Sequence, residues 1–90
     1  MIVILVQNVP VKLRGELSRW LLEPTPGVFV GHVSALVRDR LWEKCCQSRM
    51  EGGEVQIWST NNKQHFAMRM CGNTRRSVVE MEGLQLIRTP

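Results

Sequence analysis

The sequence has no tyrosine and only two phenylalanines, Phe29 and Phe66. Sheets that read single-stranded RNA stack bases on exposed strand aromatics, so this shortage argues against an RNA-recognition surface. The three tryptophans, Trp20, Trp42 and Trp58, fall inside helical or strand patterns and are expected to pack. Cysteine is scarce too. Cys45, Cys46 and Cys71 are odd in number and include no C-x-x-C pair, which fits neither a disulfide framework nor a zinc site. Reduced, partly buried thiols are the expectation. The aliphatic run Ile2 to Val6 is far shorter than the roughly 20 residues a membrane span needs. It also lacks a basic leader and a cleavage site, so a cytoplasmic protein with no membrane partner is expected. Gly52-Gly53 follows a predicted helix instead of opening one, which removes the phosphate-loop reading. His32 and His65 lie in different predicted elements without a suggestively spaced carboxylate, which removes the nucleophilic triad.

What is present describes one small globular domain over residues 1–90: 43% hydrophobic and 22% charged, neither disordered nor large enough for a second core. Twelve Lys and Arg against eight Asp and Glu leave a net charge of +4, which makes a polyanionic partner plausible without identifying one. Ile2–Val6 reads as a strand near the middle of a sheet. Leu13, Leu17, Trp20 and Leu21 recur at helical spacing, predicting a helix from about 11 to 23 that Pro24, Pro26 and Gly27 end. Val28 to Val30 is a short strand. A second helix follows from about Ser34 to Arg49, with Val33, Val37, Leu41 and Cys45 on one face. Strands are expected at 54–60 and 65–71, joined as a hairpin with Phe66, Met68 and Met70 on one side, and a last strand at 84–88. The order β-α-β-α-β-β-β gives an α+β, ferredoxin-like two-layer sandwich with both helices on one face of a small mixed sheet. The other face needs cover, and a second copy of the chain is its simplest source.

Metal-assisted hydrolysis needs hard oxygen ligands, favourably just past the carboxyl end of a central strand. Gln7 and Asn8 stand there, and both are amides. The acids Glu16, Glu23, Asp39, Glu43, Glu51, Glu54, Glu80 and Glu82 are scattered and read as solvated. No catalytic residue and no metal ligand is expected. The cations are more informative: Lys12 and Arg14 stand in the first turn of the first helix, and Arg75-Arg76 in the loop before the last strand. Guanidinium forks and ammonium groups match phosphate oxygens and fix position without reading sequence.

The ordered set Asn8-Val9-Pro10, Leu13-Arg14-Gly15 and Trp20-Leu21-Leu22-Glu23 resembles the start of the small CRISPR adaptation protein, CRISPR-associated protein two, in its type I-E form. The likeness continues through Gly27-Val28, Val30-Gly31, Val33-Ser34-Ala35, Arg38 and Trp42-Glu43, then Asn73, Arg75-Arg76 and Gly83-Leu84. That resemblance implies a homodimer at the centre of the spacer-acquisition complex, bridging dimers of the CRISPR integrase and cradling double-stranded DNA. Lys12, Arg14, Arg75 and Arg76 match the family's DNA-backbone positions. Leu84, Leu86, Ile87 and Arg88, within a tail of about 84–90, match the part that meets the integrase. Family members often carry an acid where Gln7 stands, tied to a metal-dependent nuclease. The expectation is therefore a non-catalytic adaptor that requires no cofactor. The alternative is a magnesium-dependent endonuclease, and a generic oligomerisation module is the third reading.

Overall fold

An aliphatic run rich in β-branched residues cannot face water on either side for long, and in the computed structural model it becomes the central strand. The structure describes residues 1–47, 53–72, 77–81 and 83–88. Among these the order is β1 (Ile2–Val6), α1 (Val11–Ser18), β2 (Leu22–Thr25), β3 (Val28–Gly31), α2 (Ala35–Gln47), β4 (Gly53–Ser59), β5 (Phe66–Gly72), β6 (Ser77–Met81) and β7 (Leu84–Arg88). The first five strands form a sheet in the order β2-β3-β1-β4-β5, and β6 and β7 form a separate ribbon. The result is an α+β sandwich consistent with a ferredoxin-like fold.

Two strands, β2 and β6, are added to the expected order, and α1 is shorter than its apolar spacing suggested. Leu13 and Leu17 seat α1 on the sheet, and the Leu21 N–H donates to the Leu17 carbonyl at 2.9 Å as the chain leaves the helix. Leu21 still reaches the core, but Trp20 is left 51% exposed, against the expectation that it packs. Pro24 lacks an N–H and is tolerated in β2 because that strand is an edge. The extra reversal at β2 is also why every pairing is antiparallel, which corrects the mixed sheet.

Register sorts the sheet into two unlike faces. Ile2, Ile4 and Val6 of β1 lie beside Phe29 of β3 and Gln56 of β4 under the helices, where Leu13, Leu17, Leu41, Trp42 and Cys45 complete the core. Val3, Leu5, Val28, Val30, Val55, Ile57, Phe66, Met68 and Met70 share the opposite face. Ser34 opens α2 by accepting from the Val37 N–H at 3.3 Å.

The expectation of reduced thiols is corrected. Cys46, in the last turn of α2, is joined to Cys71 on β5, with Cα atoms 5.9 Å apart. The bond spans 25 residues of sequence and depends on α2 lying across the sheet, so spacing could not announce it. Its neighbour Cys45 points into the core instead, and burial, with Glu54 nearby, pushes its thiol pKa up to about 12. Glu54 is 2% exposed, and burial raises its pKa against the opposing hydrogen bond from its own backbone. Cys71 Sγ lies 3.1 Å from Glu54 Oε2, and a disulfide sulfur has no proton to give. The contact is favourable only when the carboxyl carries that proton.

A raised folded-state pKa means that the stability contributed by protonated Glu54 is complete below the ordinary carboxylate range and is lost as pH rises through the folded value. Glu54→Gln is expected to remove that loss. Urea unfolding across a pH series should show variant and parent diverging as pH rises from about 4, with the variant the more stable.

Candidate functional site

The β2–β3 hairpin turns at Pro26-Gly27, with proline supplying the fixed φ and Gly27 the positive one, at 83°. A side chain at Gly27 would collide with the Val6 carbonyl, and the Val6 N–H donates to the Gly27 carbonyl at 2.8 Å. The hairpin tip is therefore held against the carboxyl end of β1. There the chain turns through Asn8 at φ 53°, a left-handed conformation that asparagine tolerates. Val6, Gln7, Asn8, Val9, Arg14, Pro26 and Gly27 line an open depression of about 540 Å³.

The acid nearest this depression is one the sequence reading left among solvated residues. Glu23, on β2, forms an ion pair with Arg14, its carboxylate 3.3 Å from Arg14 Nε, and accepts from the Gly27 N–H at 3.0 Å; its side chain is 19% exposed. Reading residues 19–23 as helix hid it; only a strand at Leu22–Thr25 brings it back over α1. The oxygen donors at this strand end are thus two neutral amides and a carboxylate already engaged by a guanidinium and a backbone N–H. Magnesium asks for several hard, anionic or water ligands in octahedral array, and this donor set does not fit it. Among the described residues no cluster of three or more His, Cys, Asp or Glu side chains could hold a metal.

Lys12 and Arg14 are both exposed but do not converge. Two residues apart on a helix, they point in roughly opposite directions: Arg14 toward the strand end, Lys12 into a depression between α1 and α2. Arg75 and Arg76 lie outside the described residues. Leu84, Leu86, Ile87 and Arg88 form β7, where Leu86 and Ile87 are 42% and 41% exposed on opposite sides of the ribbon. Gln85, between Leu84 and Leu86, docks that ribbon on β5: its amide donates to the Met68 carbonyl at 3.2 Å and accepts from the Met68 N–H at 2.7 Å.

A second polar cluster, also unseen in the sequence, is structural. Arg69 on β5 donates to Gln56 Oε1 at 2.7 Å and to Asp39 Oδ1 at 2.8 Å, and its guanidinium lies over the rings of Trp42 and Trp58. Hydrogen bonds from Arg69 and then Arg38 hold the Asp39 carboxyl below its ordinary pKa. Every group there has partners within the fold, so the cluster ties α2 to the sheet.

Arg14 must leave Glu23 to hold an external phosphate. Glu23→Gln should cost about 1 kcal/mol in thermal unfolding, the scale of one partly exposed charged hydrogen bond.

A protein-family profile described as "CRISPR-associated protein (Cas_Cas2CT1978)" matches residues 1–86. That span takes in the whole sheet, both helices and the strand-end depression, and so this chain belongs to the Cas2 family of CRISPR-associated proteins.

Proposed function

We propose that this chain is a non-catalytic, dimeric adaptor of the type I-E kind in CRISPR spacer acquisition, bridging integrase dimers and holding prespacer duplex DNA by its phosphates without reading sequence. The observation that carries the reading is the end of β1, where amides stand and the nearby carboxylate is already taken by Arg14 and the Gly27 N–H. Such a site can position a phosphate chain, but it offers magnesium no free anionic oxygen. The start of α1 favours the same ligand. It has no acidic residue in its first turn and no side-chain cap, so its N-terminal dipole adds to the charge of Lys12 and Arg14. Arg75 and Arg76 complete the proposed contact set, and the adaptor needs no cofactor and works in the cytoplasm. No helix among the described residues is long and apolar enough to cross a membrane.

The apolar face of the sheet supports the dimer. Val3, Leu5, Val30, Val55 and Ile57 present a broad aliphatic surface on the side away from the helices, of the kind that a second copy buries. The exposed Leu86 and Ile87 of the ribbon support a contact with the integrase.

With the integrase present, duplex capture should fall with salt at a log–log slope of roughly −7 if all eight cations of the dimer touch phosphate. Replacing Arg75 and Arg76 by alanine should bring the slope to roughly −4 and weaken all sequences alike. Magnesium-dependent cutting by the purified chain alone would overturn the assignment. Light scattering should give twice the 10.3 kDa chain mass for the parent, and the single-chain mass for Leu5→Glu.

A further inference from the structure

The most concentrated charge among the described residues is not at the strand end. It lies along the groove between α1 and α2, where two depressions of about 410 and 220 Å³ meet at Glu16 and Lys44. Lys12 and Lys44 flank one, Arg19, Arg40 and Lys44 the other, and among the described residues Glu16 is the only acid lining either. Three of the chain's net four positive charges therefore collect in this groove. Lys44 is paired with Glu16 at 3.2 Å, whereas Lys12, Arg19 and Arg40 make no ion pair or side-chain hydrogen bond among the described residues. The floor is apolar, formed by Leu13, Val37 and Leu41, and Trp20 stands half-exposed at the Arg19 end.

We propose that this groove docks an acidic segment of a partner protein, one that carries aliphatic or aromatic side chains between its carboxylates. The choice of a peptide over a nucleic acid follows from the lining. A phosphate chain has a charge at every nucleotide and nothing to place on Leu13, Val37 and Leu41, and it must pass the Glu16 carboxylate. A peptide can set an apolar side chain on the floor and against Trp20 while its carboxylates reach Lys12, Arg19 and Arg40. Helix-flanked grooves take amphipathic segments in this way, with apolar anchors supplying affinity and rim charges supplying steering. The proposal shares Lys12 with the DNA reading and is separated from it by Arg19 and Arg40, which have no part in that reading.

The probe is a fluorescein-labelled peptide of about a dozen residues that alternates Glu or Asp with Leu, titrated with the full chain in anisotropy at physiological salt. Its controls are the same peptide with Ser for Leu and a single-stranded oligonucleotide of equal charge. The Leu peptide should bind about tenfold tighter than the Ser peptide. Arg19→Glu/Arg40→Glu should weaken it by about tenfold or more. Trp20→Phe should abolish the blue shift of tryptophan emission that accompanies binding. Arg19→Ala/Arg40→Ala, with unchanged circular dichroism, guards against a folding defect and should show an intermediate loss. Equal binding of Leu and Ser peptides would overturn the proposal, as would insensitivity to both double variants. Tighter binding of the oligonucleotide at the same residues would reassign the groove to nucleic acid. DNA capture with the integrase should be unaffected by the Arg19/Arg40 variants, so the two functions fail separately.

Discussion

Burial of β1 on one face only is the constraint on which the rest of the molecule depends. Ile2, Ile4 and Val6 are sealed under the helices, while Val3 and Leu5 have only half of their environment supplied by their own chain. A domain of 90 residues cannot build a second layer of helices to cover that side. Three consequences follow from that one asymmetry. The chain has a core dense enough to hold Phe29, Ile4 and Leu17 essentially dry, a second face better suited to protein than to water, and strand ends that stay open for polar work.

The covered side is not uniformly greasy. Gln56 is fully buried beneath α2, its amide donating to the Arg38 carbonyl at 3.1 Å and accepting from Arg69. Among the described residues no buried side-chain nitrogen or oxygen lacks a partner. A satisfied network of this kind specifies a single seating of helix on sheet, where aliphatic contact alone would tolerate sliding. The same seating brings Cys46 over Cys71 and aligns α2 beside α1, so the groove between the helices inherits its shape from an interaction on the far side of α2.

Elements whose periodicity is local were legible in the sequence. The aliphatic run of β1, the Val33-Val37-Leu41-Cys45 stripe and the alternation of Phe66, Met68 and Met70 all needed only neighbours to be read, and the ferredoxin-like layering followed from them. The failures share a cause, namely that a short apolar run has no period of its own. Trp20 and Leu21 extended the helical spacing by accident, so β2 was absorbed into α1, and Glu23 went with it. Placing Glu23 beside Arg14 requires knowing that Pro26-Gly27 is a hairpin turn instead of a helix stop, and the same dipeptide serves both. Gln7 and Asn8 were legible because their position depends on nothing but the end of β1. Lys12 was legible as an exposed cation, but its divergence from Arg14 was not. The disulfide and the Arg69–Asp39 pair join residues 25 and 30 positions apart and are products of topology alone.

The two margins of the sheet are finished in different ways. Along β5 the outward carbonyl of Phe66 accepts from Asn62 Nδ2 at 3.1 Å, and Met68 gives both its backbone groups to the Gln85 amide. Gln64 returns the favour to the backbone of Gln85, with bonds of 2.7 and 2.8 Å. Side-chain amides thus occupy places where another strand's peptide groups would sit, while on the opposite margin Pro24 withholds a donor from β2. Exposed strand margins are the usual seeds of fibrous growth. A protein with a broad aliphatic face has particular need of closed ones, since lateral accretion and face-to-face stacking together would build sheets without limit. With both margins hindered in this way, the faces of the sheet are the surfaces left for association.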